Sequence, residues 1–209
     1  MDEYKGSGIK LYLPIKRLGD IILSLAGIIV LSPILLLLTV LIKLDSAGPV
    51  LFCQKRVGIR KGTHLNQTEV SHFMIYKFRT MRIDTPKDMP THLLKNPEQY
   101  ITRMGRFLRR TSLDELPQLF NILRGDMSVI GPRPALWNQY DLIAERDSYG
   151  ANDIRPGLSG WAQINGRDEL PIPEKARLDG VYVKQMSFGF DCKIFFMTVV
   201  AAITGKGLS

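Results

Sequence analysis

The chain has 209 residues, 45 % of them hydrophobic and 23 % charged, with 28 basic and 20 acidic side chains and a net charge of +8. That length and apolar fraction support one folded domain, with or without an appended anchor, and exclude a disordered chain. The charge balance points to a polyanionic partner, whether nucleic acid, anionic lipid or a phosphorylated substrate. Cys53 and Cys192 lie far apart, and His64, His72 and His92 show no metal-ligand spacing. This pattern predicts reduced thiols facing the cytosol and no zinc site.

Ile21 to Ile42 contains no charged residue. It is long enough to cross a bilayer core, which takes about 20 apolar residues, and no small-residue cleavage site marks it as a signal peptide. Ser32-Pro33 interrupts it at the midpoint. Proline removes a backbone donor, and a neighbouring serine hydroxyl can bond the freed carbonyl. Each half is then about 17 Å of helix. Two readings stay open: a kinked spanning helix, and a re-entrant helix–break–helix. Basic residues on both flanks (Lys5, Lys10, Lys16 and Arg17 before, Lys43, Lys55, Arg56, Arg60 and Lys61 after) place both ends on the cytoplasmic side.

Val50–Phe52 and Phe73–Phe78 read as short strands, with a polar hairpin or loop from Gly58 to Ser71. Asp84 to Pro97, with three prolines, is a loop. Tyr100 to Arg110 is an amphipathic helix, with Ile101, Met104, Phe107 and Leu108 on one face and Arg103, Arg106 and Arg110 on the other. It suits either a core surface or a headgroup layer. Ser112 or Asp114 is expected to cap the following helix, placing Asp114 at a helix N-terminus, where anions are favoured. That helix ends at Gly125. Leu136–Arg146 is a further helix, Asn152–Arg167 a glycine-containing structured loop, and Ser187–Thr204 a core or interfacial helix.

Asp114 and Glu115 are adjacent carboxylates preceded by Arg103, Arg106, Arg109 and Arg110 and followed by Pro132-Arg133-Pro134. Neighbours on a helix point different ways, so this pair divides labour rather than sharing a proton. One carboxylate could attack phosphorus while the other holds a metal or positions a group. Ordinary acidic residues in a first helical turn would look the same. Arg133 could equally pair with Asp126, and Lys77 could be solvated. No glycine-rich phosphate loop and no G-x-G-x-x-G motif is present.

Four segments, Ile75–Met81, Ser112–Gln118, Gly125–Pro134 and Arg155–Gly160, resemble in order and spacing the bacterial sugar transferases, also called monotopic phosphoglycosyl transferases. The resemblance runs from about Lys16 to Thr204, and the length is similar to the minimal form of that family. Ser159-Gly160 departs from the more usual Thr-Gly but keeps a hydroxyl.

The resemblance implies an α/β (α+β) membrane-associated catalytic domain, residues 45–209, behind an N-terminal re-entrant membrane helix, residues 1–44, broken at Ser32 and Pro33. It implies transfer of a sugar-1-phosphate from a UDP-sugar to polyprenol phosphate on the cytoplasmic face of the inner membrane. Asp114 is then the nucleophile, and Asp114 and Glu115 hold Mg²⁺. Lys77, Arg109 and Arg133 bind phosphate, while Arg155, Gln163, Asn165 and Arg167 shape the nucleotide-sugar end. Membrane lipid is an implied partner, nucleic acid is not, and a homodimer is left open. The rivals are a membrane-tethered basic protein that binds nucleic acid or anionic lipid, which would need neither Asp114 nor Glu115, and a lipid-phosphate phosphatase. The transferred sugar and the downstream glycan are not encoded in any motif.

Overall fold

The computed structural model describes residues 7–64, 67–86, 96–166 and 170–204. It is a mixed helix and strand domain, as expected. Helix α1 (Ser7–Asp45) is followed by a hairpin, β1 (Leu51–His64) and β2 (Gln67–Phe78). Helix α2 (Arg103–Thr111), a single 3₁₀ turn (Leu113–Glu115) and α3 (Gln118–Arg124) come next. Strand β3 (Ser128–Ile130), α4 (Tyr140–Asp147), β4 (Gly157–Ser159), α5 (Trp161–Ile164), α6 (Ile172–Gln185) and α7 (Phe188–Thr204) complete the order.

Helix α1 runs 39 residues without a non-helical residue at Ser32-Pro33, so the expected interruption of helical backbone does not occur. The reason lies in one hydrogen bond. Pro33 cannot donate to the Ile29 carbonyl four residues back, and the Ser32 hydroxyl donates to it instead, at 2.8 Å. Large apolar side chains along α1 face outward: Val30, Leu36 and Leu44 are 72 %, 69 % and 79 % exposed.

Both ends of α1 are nevertheless fastened to the same domain. At its start, Lys16 pairs with Asp191 of α7 at 2.5 Å. Arg17 donates to the Ile122 and Leu123 carbonyls at the end of α3, at 2.6 and 2.8 Å, where a cation also meets the negative end of the helix dipole. Asp20 is 4 % exposed and accepts from the Ser128 hydroxyl (3.0 Å) and the Val129 N–H (2.9 Å). At the other end, Leu38 and Ile42 pack on Phe78 and Leu108. Asp45 accepts from the Met104 N–H at 3.1 Å, and Arg79 donates to the carbonyls of Ser46, Ala47 and Pro49.

The hairpin is longer than its apolar residues suggest. Its antiparallel register runs from Leu51↔Phe78 to His64↔Gln67, with irregularities around Arg60. The stretch read as a hairpin or loop is the distal part of this hairpin, with strand running to His64 and resuming at Gln67. Val57 and Val70 join a cluster with Ala135, Leu142 and Ile143, but the polar residues between them hide the period of two. Helix α2 starts at Arg103, capped by the Thr102 hydroxyl. Its buried face is Gly105 and Leu108, whereas Phe107 is 50 % exposed and lies on the arginine side. Strands β3 and β4 pair in parallel, a pairing the short polar-flanked segments did not announce. Their crossing is so close that a Cβ on Gly157 would lie 2.1 Å from the Gly131 nitrogen. Helix α4 begins four residues later than expected, and α6 was not expected at all.

Replacing Asp20 by Ala should leave the Ser128 hydroxyl and the Val129 N–H buried without an acceptor, at a cost of about 1–3 kcal/mol. Asp20→Asn, which keeps one acceptor, should cost less. Thermal unfolding of both variants in detergent tests the order; equal losses would show that the hydrogen bonds contribute little.

Candidate active site

The site forms where three pieces of chain meet. The 3₁₀ turn carries Asp114 and Glu115, β2 carries Lys77, and the turn after β3 carries Arg133. Ser112 adopts a left-handed backbone (φ 56°) and closes α2 by donating its N–H to the Arg109 and Leu108 carbonyls. In that conformation it cannot act as an N-cap, which needs extended backbone. Neither Ser112 nor Asp114 caps a helix, contrary to expectation, and Pro117 occupies the position before α3. Asp114 thus lies in a tight turn leading into α3, one turn before its first residue.

Glu115 is gripped from two sides. Lys77 Nζ donates to Oε1 at 2.8 Å. Arg133 Nη2 donates to Oε1 at 2.7 Å, and its Nη1 to Oε2 at 3.5 Å. The Glu115 side chain is 13 % exposed. Burial alone would raise its carboxyl pKa, but the Arg133 and Lys77 charges and hydrogen bonds outweigh burial and hold it well below the carboxylate range. Burial pushes the Lys77 ammonium down, and Glu115 offsets part of that. Arg133 therefore pairs with Glu115, while Asp126 pairs with Arg124 at 2.5 Å.

Asp114 is treated differently. It accepts no hydrogen bond from the described residues. Burial pushes its carboxyl above the ordinary range, opposed chiefly by the nearby Lys77 charge, with Arg133 and Arg109 acting in the same sense as Lys77. The Arg109 Nη1 is buried and has no hydrogen-bond partner among the described residues. Three cations thus face two carboxylates, one carboxylate locked and the other free.

Lys77 reaches this place because of a residue that the sequence motifs did not single out. Asn121, fully buried in α3, accepts the Tyr76 N–H at 2.9 Å and donates to the Met74 carbonyl at 2.8 Å and to Asp126 at 3.0 Å. It bolts β2 to α3 one residue from Lys77. The available signal was an asparagine in a helix interior, where its propensity is poor.

The loop residues expected around a nucleotide sugar bond within their own neighbourhood. Arg155 Nε donates to the Gly125 carbonyl (3.0 Å), Gln163 to the Leu158 carbonyl (3.2 Å) and Asn165 to the Trp161 carbonyl (2.7 Å). Arg155 sits at the far end of α3, about 10 Å of helix from the dyad. Arg167 lies outside the described residues. Among the described residues no group of three or more His, Cys, Asp and Glu could enclose a metal. A divalent ion held by one or two carboxylates, with phosphates and water completing its shell, fits the free oxygens of Asp114 and the weakly engaged Oε2 of Glu115.

Residues 11–205 match the bacterial sugar transferase family. The chain belongs to that family. It is 39 % identical over 201 residues to "Undecaprenyl-phosphate glucose phosphotransferase" of Komagataeibacter xylinus, covering 91 % of this chain and 36 % of that protein. It is 38 % identical over 200 residues to "UDP-glucose:undecaprenyl-phosphate glucose-1-phosphate transferase" of Escherichia coli strain K12, covering 92 % of this chain and 41 % of that one. It is 41 % identical over 208 residues to "Exopolysaccharide production protein PSS" of Rhizobium leguminosarum bv. phaseoli, covering 93 % and 98 %. The chain thus spans well under half the length of the first two.

Because its folded pKa is depressed, Glu115 contributes stability that is present above the unfolded carboxylate pKa, about 4.3, and is lost as pH falls through the folded value. Lys77→Met removes one of the two cations. It should destabilise the protein at pH 7 and bring the acid loss of stability to higher pH. Urea midpoints between pH 3 and 7 test this; parallel curves for variant and parent would show that Lys77 does not hold Glu115.

Proposed function

We propose that this sugar transferase moves a sugar-1-phosphate from a UDP-sugar to polyprenol phosphate through a covalent phosphosugar on Asp114. The observation that carries the reading is the split between the two carboxylates. Glu115 is immobilised and neutralised by Lys77 and Arg133, whereas Asp114 accepts no hydrogen bond from the described residues and lies beside surplus positive charge. A partly buried carboxylate outside a salt bridge is a better nucleophile than a solvated one, and the cations favour an approaching phosphate. The names of the relatives supply the substrate class.

In the first step an Asp114 carboxylate oxygen forms a bond to the β-phosphorus as the bond to the α-phosphate oxygen breaks. UMP leaves with that electron pair. In the second step a polyprenol phosphate oxygen attacks the same phosphorus, the acyl phosphate bond breaks, and Asp114 returns as a carboxylate. Arg133, Lys77 and Arg109 offset phosphate charge in both steps. Asp114 and Glu115 would hold Mg²⁺, whose charge would add to that neutralisation. Arg155, Gln163 and Asn165 are assigned to the nucleotide-sugar end on the family resemblance, as is Arg167, which lies outside the described residues.

The substrate lipid sets the location. Helix α1 presents apolar side chains outward while both of its ends bond to one domain. Both ends bonding to one domain supports both ends lying on the cytoplasmic face of the inner membrane, with the helix entering the lipid from that side without crossing it. Phe188, Phe196 and Val200 of α7 are also exposed, and they and the Arg103, Arg106 and Arg110 face of α2 are apolar and basic groups suited to the headgroup layer.

Asp114→Asn should abolish turnover while the fold survives. Intact-mass measurement after mixing parent enzyme with a UDP-sugar should show a phosphosugar adduct at Asp114. Near-normal UMP release by the variant, or an adduct elsewhere, would overturn the assignment.

Insertion is tested by labelling intact cells with an impermeant thiol reagent, in a protein lacking Cys53 and Cys192. Lys5→Cys and Lys61→Cys should both be protected. Labelling at position 5 alone would mean that α1 spans the membrane.

A further inference from the structure

The segment Gly131–Ala135 carries Arg133 between two prolines, and proline cannot donate to a strand ladder. Another set of donors holds it. Gly157 N–H donates to the Pro132 carbonyl (2.8 Å), Arg56 Nη1 to Pro134 (3.1 Å) and Val57 N–H to Ala135 (3.0 Å). The Arg133 carbonyl accepts from Arg146 Nη1 at 2.9 Å. Four consecutive carbonyls are thus engaged, two of them by arginine side chains.

Arg146 and its partner are built differently from an ordinary surface pair. Arg146 of α4 is 4 % exposed, and Asp179 of α6 is 1 % exposed. Nε and Nη2 of Arg146 converge on Asp179 Oδ2 at 2.8 and 2.6 Å, leaving Nη1 for the Arg133 carbonyl. Gly180 admits this approach: a Cβ there would lie 2.7 Å from the Tyr149 side chain. Buried ion pairs contribute little net stability compared with apolar packing, because desolvating both charges offsets their attraction. The pair's geometry suggests a different use. A chain of contacts runs from Asp179 to Arg146, to the Arg133 backbone, to the Arg133 guanidinium and to Glu115.

We propose that the buried Arg146–Asp179 pair is a positioning device that fixes the backbone of Arg133 and so sets its guanidinium against Glu115 and the substrate phosphate. Neither residue touches the reacting atoms. The inference rests on the reading of Arg133 as a phosphate-binding group.

Arg146→Lys tests it. A lysine keeps the charge beside Asp179, but one ammonium cannot hold Asp179 in a fork and also reach the Arg133 carbonyl. Turnover of a UDP-sugar and polyprenol phosphate should fall about tenfold or more, as expected for a displaced catalytic group, with KM for the UDP-sugar nearly unchanged. The same substitution in an Arg133→Lys background should cost much less, because the group being positioned is already impaired. Equal losses in both backgrounds, or a fall in Tm with normal kcat, would show a purely structural pair and overturn the proposal. If Arg146→Lys does not fold, Asp179→Asn, which keeps shape and an acceptor, carries the same cycle. Normal turnover by Arg133→Ala is a separate outcome: it removes the phosphate reading of Arg133 itself.

Discussion

Glu115 joins three parts of the chain that fold by separate local rules. Lys77 arrives on a hairpin, Arg133 on a proline-bounded turn, and Glu115 on the 3₁₀ turn between two helices. One carboxylate holding two cations is electrostatically incomplete. Arg109 adds a third cation nearby, and Asp114 restores only one further negative charge. Two unit charges 4 Å apart interact by about 4 kcal/mol at an effective dielectric of 20. A single uncompensated cation is therefore a substantial pull on an arriving phosphate, and a costly feature for a domain with no anionic ligand. The rest of the fold keeps this arrangement from relaxing, through Asn121 beneath Lys77 and the engaged carbonyls around Arg133.

The two carboxylates consequently have different chemistry despite being adjacent. Fixing Glu115 places the cations, and cations already placed do not need to reorganise when charge develops. Leaving Asp114 unbonded keeps its oxygen available. The same cations also oppose the rise in its pKa that burial causes. A dyad in which both residues were salt-bridged would hold phosphate without attacking it. A dyad with neither paired would disperse the arginines.

The elements with a strong local signal were legible in the sequence. The apolar run at Ile21–Ile42, the stop at Gly125 and the amphipathic stretch before Thr111 each reflect one dominant force, whether burial, backbone freedom or periodicity. The dyad and its basic partners were legible only through motif resemblance, since Lys77, Glu115 and Arg133 are 38 and 18 residues apart along the chain and no local rule pairs them. What sequence reading missed shares another cause. The far half of the hairpin is mostly polar, and α6 buries Asp179 and Gly180 among Ala176, Leu178 and Tyr182, which blurs its apolar stripe. Phe107 follows the arginines rather than the core, so the amphipathic helix was rotated in the reading. Asp20 was hidden because an acidic residue at the edge of an apolar helix looks like its boundary, whereas here it is a buried acceptor for β3.

Helix α1 shows how one sequence feature can serve two demands. Pro33 deprives the Ile29 carbonyl of its partner, which would be expensive in a lipid environment. The Ser32 hydroxyl removes that cost locally and leaves helical backbone on both sides. A Ser-Pro pair therefore does not have to break a helix to be useful. It weakens the longitudinal hydrogen-bond ladder at one point, while Lys16, Arg17 and Asp20 hold one end and Asp45 and Arg79 hold the other. With its ends held by polar contacts and its middle apolar and exposed, α1 is suited to meet a lipid layer along its length. Leu38 and Ile42 of that helix pack directly on Phe78 and Leu108, each next to a charged group of the site, Lys77 and Arg109.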